Sequence, residues 1–357
     1  MTNKINQKQI EPNNIAHLNQ VCQSARLIVR PMSYTVTQEN FDSLASCWAD
    51  PNSGLKWNSP FVLPAWLKVW WQEFGPEAEP YLGAVRGGDK IIGIAPLLLK
   101  EREASIIGSA DVCDYLDFIV APGREQDFFS ALLDDLRQQG INHLDLGSLR
   151  PDSTVLTSLV GLAKERDHEV LCHEEGVSIE LDLPATWDEY LAILTKKQRH
   201  EVRRKLRRLE KTDNVNYRCR EVNRPVGDSM DVFLKLFSLS REEKAGFMSA
   251  RMESFFRSLA GAMAEIGLLK FGILELDTLP AAMVMCFDYN DCVYLYNSGY
   301  DSQYDSLSVG LLSKVLCIKE SIHESKKRFD LLKGNETYKY HLGGREVPLY
   351  RCQVTIQ

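Results

Sequence analysis

The stretch YLYNSGYDSQYDSLSVGLLSKV, residues 294–315, runs from a strand through a turn containing Gly299 into an apolar helix. Ser306, Ser308 and Gly310 near the junction are small, so a ligand can approach the backbone closely. The first N–H groups of a helix have no intrahelical partner and sit at the positive end of its dipole. Such a junction suits a phosphate or pyrophosphate. Upstream, Leu268 to Leu276, Ala281 to Asp288 and Cys292 to Tyr300, separated by turns at Asp277 to Pro280 and Tyr289 to Asp291, predict a three-strand meander. Downstream, the helix extends from about Ser308 to Ser321 and a strand follows near Phe329 to Leu332.

The same order stands earlier in the chain. Tyr81 to Val85, a turn at Gly87-Gly88-Asp89 and Lys90 to Leu99 read as a hairpin. Strands at Ala104 to Ile107 and Leu116 to Val120, a helix from Glu125 to Gln139 and a strand at His143 to Leu146 follow. The repetition is one of element order, not of residue identity. It predicts an α/β (α+β) fold of two tandem halves, each a mixed sheet flanked by helices. With 357 residues the chain has length for two cores. The expected organisation is a mobile tail at 1–24, an N-terminal half at 25–182 and a C-terminal half at 183–357. Phe61 to Phe74 reads as a helix whose Trp66, Trp70 and Phe74 form a core-facing stripe.

Composition narrows the function. Hydrophobic residues make up 44% and charged residues 25%, and no apolar run is long enough for a bilayer. The polar, Asn/Gln-rich N-terminus has no secretory h-region, which points to a cytoplasmic protein. Nine scattered cysteines, odd in number and mostly inside apolar segments, suit reduced thiols better than a disulfide framework. A net charge of -7 argues against a wholly nucleic-acid-binding surface.

One segment opposes that charge. Residues 195–211, TKKQRHEVRRKLRRLEK, hold nine Lys/Arg against Glu201 and Glu210, with Val202, Leu206 and Leu209 on one helical stripe. Such a helix ordinarily presents a solvated charged face, but the one-sided bias in an acidic chain makes an anionic partner the alternative: a phosphate-bearing ligand, tRNA or an acidic protein surface. The motifs of serine hydrolases, P-loop and Rossmann nucleotide sites and HExxH metalloproteases are missing. His168, Cys172 and His173 have no metal-ligand spacing, so no metal is expected. The remaining polar cluster is FDLLKGNETYKYHLGG, residues 329–344, at a strand's end, where α/β proteins present catalytic groups.

The blocks RHEVRRKLRRLEK, SREEKAGF, YNSGYDSQYDSLSVGLL and FDLLKGNETYKYHLG, in that order, resemble GNAT proteins of the BioF2-like or CelD/BcsL acetyltransferase family. GIAPLLLK and CDYLDFIV match elements of its first half. That family is similar in turn to the Fem peptidyltransferases, which have two GNAT-like halves and take aminoacyl groups from tRNA. The resemblance implies an acyltransferase using acetyl-CoA or another acyl-CoA on an amine, hydroxyl, sugar or peptide acceptor. Pyrophosphate is expected at Tyr304, Ser308, Val309, Gly310 and Leu311, and the thioester carbonyl beside Asn297, Ser298 and Gly299. The resemblance places Lys339 near the reacting carbonyl, where a cation would stabilise an oxyanion. Glu336 or Asp330 is the candidate base and Tyr338 the candidate acid. Arg203, Arg207, Arg241 and Lys244 are candidates for holding an acidic acceptor. Two other readings are an aminoacyl-tRNA-dependent transferase and a non-catalytic subunit of a polysaccharide-synthesis system.

Overall fold

The computed structural model describes residues 33–75, 79–221, 225–240 and 246–357. Tyr34–Gln357 forms one compact unit, and the tail expected at 1–24 lies outside the described residues. Its frame is a single mixed sheet. In the first arm β1 (Tyr34–Gln38), β2 (Glu79–Gly87), β3 (Lys90–Lys100) and β4 (Glu103–Ile106) pair antiparallel in sequence, and β6 (His143–Leu149) joins β4 in parallel. In the second arm β8 (Val215–Glu221), β9 (Leu269–Leu276), β10 (Leu279–Tyr289) and β11 (Cys292–Tyr300) repeat that order, and β12 (Arg328–Lys333) joins β11 in parallel. The expected strand at Leu116 to Val120 shrinks to β5 (Ile119–Val120), because Asp117 there binds the N–H groups of Phe118 and Thr154 instead of extending a ladder.

Two further strands join the arms. β7 (Glu169–Asp182) follows the first arm in the chain but pairs with β12, while β13 (Arg345–Thr355) ends the chain and pairs with β6. β7 and β13 also pair with each other, so each arm's final strand lies against the other arm and the order is mirrored about them. Cys172 and Cys352 stand directly opposite in this pairing and form a disulfide. The expectation of reduced thiols throughout therefore fails for these two, because pairing 180 residues apart in sequence is not visible in cysteine spacing. Cys47, Cys113, Cys219, Cys286, Cys292 and Cys317 are free. Since the bridge closes so long a loop, Cys352→Ser is expected to lower the unfolding free energy of oxidised protein by about 2 kcal/mol. A denaturant titration that does not separate variant from wild type would show the bridge to be without effect.

Helices cover both faces. Along β10, Met283, Met285 and Phe287 enter one core and Ala282, Val284 and Cys286 the other, the alternation a strand imposes. The first core is covered by α1 (Phe41–Ala49), α2 (Pro64–Phe74), α3 (Glu125–Gln138), α4 (Val160–Glu165), α7 (Gly227–Ser240) and α8 (Ala250–Glu265). The second is covered by α5 (Trp187–Ile193), α6 (Lys196–Glu210) and α9 (Val309–His323). The helix expected at Phe61 to Phe74 is divided into a 3-10 turn, Pro60–Val62, and α2, because Pro64 has no N–H to continue a helix and is suited to begin one. Trp66 is fully buried, and its ring meets Phe255 of α8 edge-on at 6.5 Å, as the core-stripe expectation required. Among the described residues no helix is long and apolar enough to cross a membrane.

Candidate active site

β11 and β12 are parallel neighbours for only three residue pairs, Cys292–Arg328, Val293–Phe329 and Tyr294–Asp330. Beyond these β11 continues to Tyr300 and β12 to Lys333, so the strands part at their C-terminal ends. A break in the β10–β11 register between Met285 and Cys286 gives β11 one extra residue at the fork, which bends the strand locally. The fork opens a cavity of about 470 Å³. Crevices at the C-terminal ends of strands are where sheets of this kind bind ligands.

One wall is β11 with the turn that follows it. Leu295, Tyr296, Asn297, Ser298 and Tyr300 line it, and the Ser298 N–H is held by Asn297 Oδ1 at 3.1 Å. Behind this wall Tyr296 donates to the Val112 carbonyl and lies among the rings of Trp66, Phe256 and Phe287. Burial pushes its hydroxyl pKa far up, so it stays protonated. The roof is the start of α9, where Ser308, Gly310 and Leu311 line the cavity. Helices α5 and α6 are closed by capping boxes from Thr186 and Thr195. The N-cap of α9, Ser308, sits left-handed at φ 59° and makes no side-chain cap. The Ser308 N–H is taken by the Asp305 carbonyl at 2.8 Å and the Leu311 N–H by the Ser308 carbonyl at 3.1 Å, so the first-turn donors without a side-chain cap are those of Val309 and Gly310. Gly310 packs under Tyr300, whose ring would stand 2.6 Å from an added Cβ.

The opposite wall is the end of β12 and the loop after it. Leu331, Leu332, Lys333, Glu336, Tyr338 and Lys339 line it, and Asp114 reaches it from the first arm, accepting the Lys333 N–H at 2.8 Å. Burial raises the Asp114 pKa above the usual carboxylate value, while the Lys333 N–H and the Lys339 and Lys333 charges oppose that rise. Lys314, one turn into α9, donates to the Gly310 carbonyl at 2.7 Å and stands 5.3 Å from the Tyr338 ring. Lys205 of α6 completes the rim. Four lysines thus meet Asp114, Asp305 and Glu336 at the lining.

The structure brings most of the expected residues together. Asn297, Ser298, Ser308, Gly310, Leu311, Glu336, Tyr338 and Lys339 share this cavity. Gly299 and Val309 are instead buried in packing, and Tyr304 leans on the second core. Asp330 stands apart from Glu336, because it lies within β12 and bonds Tyr115 of the first arm, whereas Glu336 lies beyond the strand's end. It lines a separate cavity of about 200 Å³ with Tyr115, Arg150 and Arg328. Its carboxylate accepts the Tyr115 hydroxyl at 2.8 Å and the Leu332 N–H at 2.8 Å. Burial raises its pKa to about 7, with the hydrogen bonds from Tyr115 and Leu332 and the Arg150 charge opposing. Lys339 is buried, and its ammonium is engaged by backbone carbonyls and Glu336. Arg203 and Arg207 are exposed on α6, away from the cavity lining, and Arg241 and Lys244 lie outside the described residues. Among the described residues no group of three or more His, Cys, Asp or Glu side chains is placed to hold a metal. Sequence reasoning missed Asp114, Lys205 and Lys314, and held Lys333 within the polar cluster at 329–344 without a role. Asp114 had a signal, since it stands second in the CDYLDFIV block of the first half.

Residues 196–340 match the family model described as an acetyltransferase (GNAT) domain, which spans both walls and the roof of the fork. No curated protein matches the chain. Among solved structures, FemX is 11% identical with a TM-score of 0.59 and covers 89% of this chain and 96% of its own. L-PGS from Bacillus licheniformis is 9% identical with a TM-score of 0.52, covering 86% and 92%. A conserved protein of unknown function from Bacteroides thetaiotaomicron is 11% identical with a TM-score of 0.56, covering 90% and 100%. At such identities these similarities speak to the fold alone. They extend the likeness across both arms, beyond the residues the family model matches.

Proposed function

We propose that this chain transfers an acyl group directly from an acyl-CoA thioester to an amine or hydroxyl acceptor, without a covalent enzyme intermediate. The observation that carries the reading is the fork between β11 and β12, roofed by the open N-terminus of α9. A diphosphate would rest against the start of α9 at Ser308 to Leu311, with the N–H groups of Val309 and Gly310 as its donors. The pantetheine arm would run along Asn297 and Ser298, where the thioester carbonyl would take the Ser298 N–H in place of the Asn297 side chain. Asp114, with its raised pKa, and Glu336 are the bases within the fork, and Tyr338 is the acid for the leaving thiolate. Catalysis would then be positional and electrostatic. Membership of the BioF2-like or CelD/BcsL group, with a cell-envelope or polysaccharide acceptor, is part of this proposal and rests on the order of the sequence blocks.

Thermal stability with CoA and short acyl-CoAs tests the donor. At a hundred times its dissociation constant, a donor adds about 2.7 kcal/mol. Ser308→Asp should abolish that gain while preserving the fold, since aspartate tolerates the left-handed conformation and caps helices well but repels a diphosphate. Absence of stabilisation by every CoA species would sink the donor assignment. The second reading, an aminoacyl-tRNA donor, is favoured by exposed Arg203 and Arg207 on a helix whose Lys205 reaches the rim. It requires affinity that falls steeply with salt, which a pantetheine site does not.

A further inference from the structure

The chain reverses at Leu332–Gly334, and its backbone groups divide by kind. The N–H groups leave in three directions: Leu332 to Asp330 at 2.8 Å, Lys333 to Asp114 at 2.8 Å and Gly334 to the Val177 carbonyl at 2.9 Å. The carbonyls converge. Lys339 Nζ meets the oxygens of Leu332 at 3.1 Å, Lys333 at 2.6 Å and Gly334 at 3.2 Å, with Glu336 Oε2 at 3.0 Å. Leu332, at φ 62°, holds a left-handed conformation that a leucine adopts only at a cost, and Gly334 follows at φ 106°. These two residues turn the carbonyls to one point. Four oxygens near 3 Å around one buried cation, one of them a carboxylate, are the donor set of a small monovalent cation site.

We propose that this ring of oxygens is a monovalent-cation site filled from within by the Lys339 ammonium, making Lys339 a positioning residue rather than an oxyanion donor. Its three N–H groups already face four acceptors, so none is left over for a reacting carbonyl. What the bound charge does is hold the left-handed turn, and with it Lys333 and Glu336 on the cavity wall. The ring is independent of the donor's identity. Only its bearing on acyl transfer rests on the function proposed above.

Lys339→Ala empties the ring and leaves room for a small alkylammonium ion. In the full chain, amides of residues 332–336 are expected to exchange about tenfold faster than in wild type, and ethylammonium to restore most of the protection. Tetramethylammonium at equal ionic strength, having no N–H, should not. If the variant folds only with ethylammonium, the refolded yield gives the same reading. Unchanged exchange, or equal rescue by both ions, would overturn the proposal. In wild type, the 15N resonance of Lys339 Nζ should show slowly exchanging protons at neutral pH and stay fixed when acetyl-CoA is added. Fast exchange of those protons, or a shift on adding acetyl-CoA with unchanged amide protection, would restore the oxyanion role. Absence of CoA binding leaves the amide experiment intact, so failure of the donor reading is told apart from failure of this one.

Discussion

Asp330→Asn is expected to stabilise the protein at pH 8 by up to about 4 kcal/mol and to leave it unchanged near pH 4. Asp330 is only 1% exposed, and its pKa is raised to about 7, chiefly by burial. In the unfolded chain it titrates near 3.9, as free aspartates do. Between those values the folded state holds a proton that the unfolded state has lost. Stability from the protonated form is thus fully present below about pH 4 and is lost as pH rises through 7, at about 1.4 kcal/mol per unit. An asparagine removes this slope and keeps the contacts, since its oxygen can accept the Leu332 N–H and its amide can donate to the Tyr115 oxygen. Asp117, raised to about 6, gives both proteins a residual slope, so the difference between them is the measurement. Urea titrations from pH 4.5 to 8.5 decide it, and parallel curves would mean that Asp330 is ionised throughout.

The elements carried by local pattern were readable before the structure. The β2–β3 hairpin, β9 to β11, α9 and β12 fall where alternation, Gly and Asn turns and helical spacing place them. The basic helix was equally plain, because Val202, Leu206 and Leu209 had to face a core. What was not readable is non-local. β7 and β13 carry no signal of having each crossed to the other arm, and the Cys172–Cys352 bridge depends on that crossing. The site divides in the same way. Ser308, Gly310, Asn297 and Ser298 lie within one local motif, whereas Asp114 reaches the fork only through tertiary structure. Asp330 and Glu336 looked like alternatives because they are six residues apart, yet the reversal at Leu332 sends them to different cavities. Lys339 is expected from the resemblance as a cation beside the reacting carbonyl, but the carbonyls its ammonium meets belong to a turn whose left-handed leucine no propensity would predict.

The resemblance expects Gly299 beside the thioester carbonyl and Gly310 at the pyrophosphate, and the structure gives the two glycines different neighbours. A Cβ on Gly299 would lie 2.3 Å from the Phe237 backbone nitrogen and 2.5 Å from the Leu236 carbonyl carbon, at the end of α7. Backbone cannot swing aside as a side chain can, so Gly299→Val is expected to cost about 3 kcal/mol or more by driving α7 off β11. That movement would carry Ser240 away from the cavity it lines. The nearest neighbours of a Cβ on Gly310 are atoms of the Tyr300 ring, which has rotamers to yield into, so Gly310→Ala should cost less than about 1.5 kcal/mol. Its effect should fall on ligand binding, because the methyl group enters the approach to the helix N-terminus. The two variants therefore separate stability from binding at a fork where sequence offers one motif. Midpoints of denaturation that fall equally would show that α7 yields as readily as a ring, and that the close approach at Gly299 holds nothing in place.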